Sequence, residues 1–548
     1  MRTRNKSCHH LLLLLLLLAF AVGLTSGCSE KAPPAGDHDF ETTGRADKVL
    51  RIVAGSENKI LEPVLQAFAE REHVAIRMDY LGSLDIMRLL SAPSIAYDAV
   101  WPASSMWVSV GDVKHRVKHL QSTSITPVVF GIRDSLAESL GFKHKPVFVR
   151  DILQAIKDGK LRFTMTSATQ SNSGASAYLG FLNALLDNPS SISLDDLKNA
   201  ELQTEMKALL GGVERSSGSS NWLVDLYLAG DYDAMVNYEA LIIHANQELV
   251  KAGREPLYVV YPEDGLTIAD SPLGYIADNG ETGRDEEKSE ALFLQLQQYL
   301  MRADVQDLIQ KTGRRTGLTG ISTANKPVFN AAWGVQTERV LQTMNMPQTD
   351  ALMEALRLYQ SDLKKPGYTI YLLDFSYSME GEGHRQLMAA LEQIMLEDNA
   401  TRNLLQPSAE EVSVYYRFYE KTDLVGEVTG GGEAMERLFR KIQDSDHGSA
   451  TAIYAAVDNA LTALAAVDTD TYSPAIVLMS DGEQNTGISF AELERRYRQA
   501  GLDVPVFSIM FGGAKEHELN KIADLSRGRV FDGRTDLIGA FQAVRGYN

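Results

Sequence analysis

The chain has 548 residues, a hydrophobic fraction of 44%, and 72 acidic residues against 53 basic ones, which gives a formal net charge of −19. This length exceeds what one hydrophobic core usually supports and predicts two to four domains, while the hydrophobic fraction excludes bulk disorder. The negative charge would repel the phosphate backbone of nucleic acids, and no long basic run follows the N-terminus. We therefore expect no nucleic-acid partner.

The first 28 residues are typical of an export signal. Arg2, Arg4 and Lys6 give a basic start, and residues 11–18 are all leucine. The apolar stretch is short for a helix that spans a bilayer, which needs roughly 20 residues. We predict a signal peptide over residues 1–28; the alternative is a membrane anchor that is not cleaved.

Cysteine usage adds a second signal at the same place. The chain has 2 cysteines, Cys8 and Cys28, so removal of the leader would leave one cysteine at the new N-terminus. Residues 24–28, Leu-Thr-Ser-Gly-Cys, resemble a bacterial lipoprotein signal, with Thr25 where that signal usually has an aliphatic residue. The resemblance implies lipidation of Cys28, and therefore an exported protein anchored to a membrane of the cell envelope, facing the periplasm or the cell surface. Residues 29–47 contain Pro and Gly and are predicted to be a flexible tether.

Strand-like and helix-like patterns alternate along residues 48–345. The apolar run at 49–54 is followed by a helical pattern with its apolar residues on one face, and the alternation recurs at 74–80, 96–101, 128–132 and 162–186. Such alternation predicts an α/β fold with parallel strands. A helix from about residue 350 to 363 then precedes Pro366-Gly367, a strong break, so residues 346–367 are predicted to be a linker helix.

The pattern of strand and helix begins again at residue 368 and continues to 548. Buried strands are predicted at 368–374, 412–418, 475–480 and 504–511, with amphipathic helices between most of them. We expect a Rossmann-like, doubly wound α/β domain of ordinary size.

Oxygen-bearing side chains follow or precede three elements of this last domain. Asp374, Ser376 and Ser378 follow its first strand, Thr451 precedes a helix, and Asp481 follows the strand at 475–480. Open parallel sheets place ligands beyond the carboxyl ends of their strands. Two carboxylates and three hydroxyls form a set typical of a hard cation, Mg²⁺ or another divalent ion such as Mn²⁺ or Ca²⁺. Because neutral hydroxyls leave much of the metal charge uncompensated, a carboxylate of a protein partner could complete the shell.

These loops resemble the metal-ion-dependent adhesion site (MIDAS) of von Willebrand factor A domains, whose pattern is Asp-x-Ser-x-Ser, then a separate Thr, then a separate Asp. All five positions are matched here in order, and Tyr377 is a departure, because the family usually has Gly there. The resemblance implies a metal held by these five residues and a protein partner that offers an acidic side chain. The alternative is that Ser376 and Ser378 only cap a helix while the aspartates make turns.

Residues 48–345 resemble the two-lobed, type II solute-binding proteins of bacterial uptake systems. The resemblance lies in Gly-Ser pairs after the first two strands, in residues 171–176 before a helix, and in the segments 229–238 and 271–275. It implies two chain crossings between lobes and a small solute in the cleft. Candidate ligand-binding residues, through hydroxyls and helix N-termini, are Ser56, Ser83, Ser173 and Tyr238. The alternative is that these serines are ordinary caps and turn residues, and Glu239 would oppose an anion if it faced the cleft.

These observations leave three functions open. The first is a lipid-anchored protein that binds a partner through the metal and has a possible solute-binding domain. The second is the solute receptor of an ABC-type uptake system, with the last domain as a docking module. The third is a metal-dependent hydrolase, which we do not expect, because the sequence offers neither a Gly-x-Ser-x-Gly nucleophile turn nor a zinc-protease motif.

Overall fold

The computed structural model describes residues 39–43, 48–280, 283–317, 320–341, 344–403, 405–534 and 537–547. The predicted signal peptide, its Cys28 and most of the predicted tether lie outside these ranges. Within them, no helix combines the length and the apolar character that a membrane-crossing segment requires.

The first lobe is a mixed sheet covered by helices on both faces. Its strands run in the order β1-β3-β2-β4-β12-β5, with β2 parallel to β3 and β4, and with β12 antiparallel to its neighbours. The strands are β1 (Phe40–Glu41), β2 (Val49–Ala54), β3 (Ala75–Tyr80), β4 (Ala99–Trp101), β5 (Val117–Ser122) and β12 (Pro272–Ile276). The helices are a 3₁₀ turn (Ser56–Leu61), α1 (Glu62–Glu72), α2 (Ser83–Leu90), α3 (Ser105–Gly111), α10 (Glu286–Leu300) and α11 (Ala303–Gln310).

The prediction of a continuous flexible tether is wrong over residues 39–43. Strand β1 pairs antiparallel with β3, and the Ile76 amide donates a hydrogen bond of 2.8 Å to the Thr42 hydroxyl. These contacts fix the start of the described chain on the edge of the first sheet. The Pro and Gly residues of the predicted tether therefore flank a short edge strand in the sequence.

The second lobe is also a mixed sheet, in the order β10-β6-β9-β7-β8, with β11 paired to β6. Its strands are β6 (Thr126–Arg133), β7 (Phe163–Thr166), β8 (Val213–Ser217), β9 (Ala234–Tyr238), β10 (Leu257–Val260) and β11 (Thr267–Ala269). Its helices are α4 (Asp134–Ser139), α5 (Val149–Lys157), α6 (Asn172–Leu185), a 3₁₀ turn (Asp196–Lys198), α7 (Ala200–Leu210), α8 (Ser220–Ala229) and α9 (Glu239–Lys251).

The chain passes between the two lobes at residues 123–125 and again at 270–271. The two crossings are adjacent, because the Thr123 hydroxyl and the Trp101 indole N–H both donate to the Ser271 carbonyl, at 2.8 and 3.1 Å. After α11 the chain returns to the second lobe, where Phe329 and Val335 join the core. The strands that follow a crossing, β6 and β12, are antiparallel to their neighbours, since no helical crossover sets their direction.

The helix of the predicted linker is part of the second lobe. It consists of α12 (Thr349–Leu358) and one π-helical turn (Tyr359–Leu363), and a 3₁₀ turn (Ala331–Trp333) precedes it. Leu352, Ala355 and Leu356 are buried in the core of that lobe, and the Tyr178 hydroxyl donates a hydrogen bond of 2.8 Å to the Ala355 carbonyl. The described part of this segment is therefore packed rather than extended.

The C-terminal domain is a single sheet with helices on both faces, in the order β15-β14-β13-β16-β17-β18. All neighbours are parallel except β15, which is antiparallel to β14. Its strands are β13 (Gly367–Asp374), β14 (Val412–Phe418), β15 (Thr422–Thr429), β16 (Ser473–Ser480), β17 (Val506–Met510) and β18 (Arg529–Asp532). Its helices are a 3₁₀ turn (Tyr377–Met379), α13 (Glu382–Met395), α14 (Glu397–Arg402), α15 (Glu433–Gln443), α16 (Ile453–Leu464), α17 (Phe490–Ala500), α18 (Glu516–Ser526) and α19 (Leu537–Tyr547).

Two separate apolar clusters of this domain confirm the doubly wound prediction. Helices α13, α15 and α19 pack on one face of the sheet, and α16, α17 and α18 pack on the other. Strands β13 and β16 are neighbours and lie between these layers, so that both are almost fully buried. Their carboxyl ends consequently lie side by side at one edge of the sheet.

Candidate functional site

The carboxyl ends of β13 and β16 bring Asp374 and Ser480 together. Leu373 is paired with Met479 in the parallel register, so the next residue of each strand falls at the same level. The Ser480 hydroxyl donates a hydrogen bond of 2.5 Å to Asp374 Oδ2, and the Ser376 amide donates one of 2.9 Å to Asp374 Oδ1. Asp374 and Ser480 are both fully buried. The carboxylate is thus held in one orientation before any ligand binds.

The loop after β13 holds the two serine hydroxyls next to each other. Ser376 precedes the 3₁₀ turn, yet its side chain makes no capping hydrogen bond, and its hydroxyl lies 3.1 Å from that of Ser378. This geometry is evidence against the capping alternative. Tyr377 belongs to the 3₁₀ turn without a positive φ, and its side chain is 70% exposed. The loop therefore accommodates Tyr where the family usually has Gly.

The loop that carries Thr451 is held from two sides. The Thr451 amide donates a hydrogen bond of 2.8 Å to Asn485 Oδ1, and the Asn485 amide donates one of 3.1 Å to the Thr451 carbonyl. On the other side, the Glu420 carboxylate accepts hydrogen bonds from the amides of Ser449 and Ala450, at 3.0 and 3.2 Å. Thr451 itself is buried, although it lies far from the other predicted ligands in sequence.

The loop after β16 positions Asp481. Its Oδ1 accepts a hydrogen bond of 3.2 Å from the Glu483 amide, and its carbonyl accepts one of 2.8 Å from the Lys515 amide. Gly482, which lies between Asp481 and Glu483, has a φ of +76°, and a Cβ at this position would lie 2.2 Å from the Lys515 carbonyl oxygen. Only glycine fits this tight turn, which sets the direction in which Asp481 leaves the strand.

The electrostatics of the site favour a cation. Burial, with a smaller contribution from the charge of Asp481, raises the pKa of Asp374 to about 7 against the opposing effect of the hydrogen bonds from Ser376 and Ser480. Two buried carboxylates that repel each other are stabilised by a positive ion between them. Among the described residues no cluster of three or more His, Cys, Asp or Glu side chains is arranged to hold a metal. The predicted donor set stays a prediction, two carboxylates with three hydroxyls: Asp374, Ser376, Ser378, Thr451 and Asp481.

Two histidines meet beside this site, which the scattered His positions in the sequence did not indicate. The rings of His384 and His447 lie 4.6 Å apart, and both contact the Phe375 ring. Burial and the charge of His447 lower the pKa of His384. His384 is therefore expected to be mostly neutral at pH 7.

In the N-terminal region, Ser56 and Ser83 line a cavity of about 880 Å³ at the mouth of the cleft between the lobes. The lobes are in direct contact beneath it. The Ser56 hydroxyl lies 3.0 Å from that of Ser219, and the Trp107 indole N–H donates a hydrogen bond of 2.7 Å to Asn172 Oδ1. The described conformation is therefore one in which the two lobes are closed on each other.

The prediction that Ser173 and Tyr238 face the cleft is wrong for this conformation. The Ser173 hydroxyl lies 2.7 Å from that of Thr166 and 2.8 Å from that of Ser220, inside the second lobe. The Tyr238 hydroxyl accepts a hydrogen bond of 3.0 Å from Asn172 Nδ2 and is likewise buried. The polar atoms of both side chains are already paired within the protein. Ser173 and Tyr238 therefore lie behind the residues that line the cavity and hold them in place.

Glu239 is turned away from the cleft. Its carboxylate is fully buried and is paired with the Arg315 guanidinium at 2.8 and 2.7 Å, and Tyr261 donates a further hydrogen bond to it. The charge that could have opposed an anionic solute is thus neutralised within the second lobe.

Several residues that complete both sites were absent from the predicted ligand sets. Those at the metal loops hold a stretch of backbone or a carboxylate in place, and those at the cleft line the cavity. They are Glu420, Ser480 and Asn485 at the metal loops, and Ser171, Asn172 and Ser219 at the cleft. Ser480 could have been found from the sequence, since it is the last residue of a buried strand.

Two family models match this chain. One is described as bacterial extracellular solute-binding protein and matches residues 50–315; the other is the von Willebrand factor type A domain and matches residues 369–536. The chain contains a solute-binding region and a von Willebrand factor type A (VWA) domain. The VWA match includes all three metal loops, and the solute-binding match includes both lobes up to Arg315. The solute-binding model is described as one of extracellular proteins, which agrees with the predicted export.

No curated protein matches the chain. Among solved structures, the periplasmic binding protein AfuA from Actinobacillus pleuropneumoniae is similar at 13% identity and a TM-score of 0.43, over 58% of this chain and 99% of that one. A ferric binding protein from Campylobacter jejuni is similar at 11% identity and a TM-score of 0.39, over 57% and 96%. The substrate-binding protein of an ABC transporter from Agrobacterium tumefaciens is similar at 14% identity and a TM-score of 0.39, over 58% and 96%.

Proposed function

We propose that this is a lipid-anchored envelope protein that binds an acidic side chain of a protein partner through Mg²⁺, or a similar divalent ion, in its VWA domain. The observation that carries the proposal is the arrangement of Asp374 at the end of β13, held by Ser480 at the end of β16. This carboxylate is oriented by two hydrogen bonds and repelled by Asp481, as expected of a ligand or an orienting residue of a cation site.

The exposure of the loops supports access by a partner. Asp374 is fully buried, whereas Ser378 and Tyr377 of the same loop are exposed. A cation held between the loops would therefore be covered by protein on one side and reachable from solvent on the other. When bound, the metal would supply a Lewis-acidic position for an incoming carboxylate. The Tyr377 ring would contact the partner next to that position.

A pull-down from envelope extract tests this function. We expect the wild-type chain with Mg²⁺ to retain a partner that is lost on addition of EDTA and lost in Asp481→Ala. The matched control is Asp524→Ala, which removes an exposed aspartate of α18 in the same domain and should retain the partner. Capture that persists in EDTA, or in Asp481→Ala, would contradict the proposal.

The membrane anchor is a separate part of the proposal and rests on the sequence, because Cys28 lies outside the described residues. We expect Cys28→Ser to release the protein from the membrane fraction, whereas Cys8→Ser in the leader should leave it there. Incorporation of radiolabelled palmitate by the Cys28→Ser variant would argue against lipidation at this position.

A second candidate function is that of a solute receptor for an ABC-type uptake system, with the VWA domain as its docking module. The cavity of about 880 Å³ at the cleft mouth favours it, since its volume suits a small organic ligand. Thermal stabilisation by small solutes, without any stabilisation by Mg²⁺, would favour this function over metal-dependent adhesion. In both cases we propose a binding protein without catalytic activity.

A further inference from the structure

The cavity at the cleft mouth has a third wall that comes from the VWA domain. Strand β18 contributes Arg529 and Phe531 to its lining, and α19 contributes Ile538 and Gln542. The same helix also contributes Gly539 and Ala543, and the rest of the lining belongs to the two lobes. A ligand that fills this space would therefore touch residues more than 200 positions beyond the end of the solute-binding match.

The VWA wall is attached to the second lobe. Asp503 of the VWA domain accepts hydrogen bonds from the Arg215 guanidinium at 2.6 Å and from the Tyr232 hydroxyl at 2.7 Å. Arg215 is buried, whereas the Asp503 side chain is 35% exposed, so solvent reaches one partner of this pair. A Cβ added to Gly546 of α19 would meet the end of the Gln170 side chain, so these two residues pack closely against each other. These contacts join the VWA wall to the second lobe, and it faces the first lobe across the cavity.

One carboxylate in the cavity is influenced by all three units. Asp225 belongs to α8 of the second lobe, and burial raises its pKa. The positive charges that oppose this shift are those of His244 in the second lobe, Lys59 in the first lobe and Arg529 in the VWA domain. The Arg529 guanidinium also lies over the Phe531 ring, 5.9 Å from its centroid. Basic side chains from all three units therefore act on this carboxylate.

A second carboxylate of the cavity lining is buried and has an unsatisfied oxygen. Glu57 of the first lobe lines the cavity, is 5% exposed, and its Oε1 has no hydrogen-bond partner. Burial raises the pKa of Glu57, and the charge of Arg314, which donates a hydrogen bond of 2.6 Å to the Glu57 carbonyl, opposes the shift. A buried acceptor without a donor is unfavourable, and a ligand that brings a donor removes that cost.

Building on the solute-binding role proposed above, we propose that this three-walled cavity takes a zwitterionic solute of short-peptide size, with its cationic group at Glu57 and its anionic group near Arg529. The cavity volume exceeds what a single inorganic ion fills and lies within the usual range for organic ligands. The lining contains both acidic and basic side chains, so a zwitterion can interact with both kinds, whereas a ligand with one sign of charge can interact favourably with only one. The VWA domain then contacts the solute directly.

Calorimetry with trialanine as the probe tests this inference on the full-length chain. We expect trialanine to bind, and N-acetyl-trialanine amide, which lacks both charges, to bind at least about tenfold more weakly. Glu57→Gln and Arg529→Ala should each weaken trialanine binding about tenfold or more, and Arg529→Lys should recover part of the loss. The matched control is Arg495→Ala, which removes an exposed arginine of α17, paired with Glu492, outside the cavity lining.

The outcomes separate this inference from the function on which it rests. If Glu57→Gln weakens binding but Arg529→Ala does not, the solute site stands and the VWA wall plays no part in recognition. If the wild-type chain binds the blocked peptide as well as trialanine, the zwitterionic assignment is overturned. If neither peptide binds while glucose or inorganic phosphate does, the ligand class is wrong; if no probe binds, the solute-binding role fails with it.

Discussion

Replacing Ser480 by Ala tests the metal site through a residue that is not itself a predicted ligand. The change removes the hydroxyl that donates to Asp374 Oδ2 at 2.5 Å and leaves the β16 backbone intact. Hydrogen bonds to charged groups contribute about 1.5–3 kcal/mol, and residues that orient metal ligands typically change metal affinity about 10–100-fold, or roughly 1.4–2.8 kcal/mol. The two estimates agree, so we expect Mg²⁺ to bind the Ser480→Ala variant about 10–100-fold more weakly.

The assay is isothermal titration of Mg²⁺ at pH 8, where Asp374, with a pKa of about 7, is mostly ionised in the metal-free protein. The control is Ser473→Ala, at the opposite end of the same strand, where the backbone amide donates to the Pro366 carbonyl and is unaffected by the change. A Mg²⁺ affinity within about threefold of wild type for Ser480→Ala, or an equal loss in both variants, would refute the reasoning that Ser480 orients a ligand.

Three further predictions concern single positions. Thr451→Ala should lower Mg²⁺ affinity in the same titration without lowering the melting temperature, because the contacts of Thr451 with Asn485 use its backbone; unchanged affinity would remove it from the ligand set. Gly482→Ala should destabilise the VWA domain by about 1–3 kcal/mol in urea unfolding, owing to its positive φ and the Lys515 carbonyl. Burial lowers the pKa of Lys364 from 10.5 to about 8, so the native state holds fewer protons than the unfolded state between these pH values. Wild-type stability in urea unfolding should therefore rise from pH 8 to 10.5, and Lys364→Met should remove this rise; an unchanged pH dependence in the variant would contradict the shift.

The sequence predicted the C-terminal domain closely because its chemistry is local. The central parallel strands are buried on both faces and appear as continuous apolar runs, and four of the five predicted ligands, all except Thr451, stand at or directly after the ends of those runs. The lobes were less predictable. Strand β5 is exposed along nearly all of its length, whereas β12, which pairs with it from about 150 residues away, is buried throughout. Neither strand therefore shows the alternation that marks a half-buried strand.

The error at Ser173 has a geometric cause. Ser173 lies in the first turn of α6, and its hydroxyl is 2.7 Å from that of Thr166 in β7 and 2.8 Å from that of Ser220. The Ser171 hydroxyl lies only 3.3 Å from that of Ser173, yet Ser171 and Asn172, nearer the start of the helix, line the cavity. A Ser-rich turn in the sequence indicates that hydroxyls are present at a helix N-terminus, but only the orientation of the helix decides which of them reaches the ligand.

The third wall of the cavity could not be predicted from the sequence. It depends on pairs such as Arg215 with Asp503, separated by 288 positions, and on the packing of α12 into the second lobe. No sequence motif marks either contact, because an Arg–Asp pair can form between any two surfaces of suitable shape. The placement of domains thus follows from side-chain complementarity that appears only once both domains are folded.

The attachment at Asp503 links the VWA domain to the relative position of the two lobes. Because these contacts join the domain to the second lobe, a change in the angle between the lobes at residues 123–125 and 270–271 would move the VWA domain relative to the first lobe. Capture of a molecule between the lobes would in this way be transmitted to the C-terminal domain as a change of position.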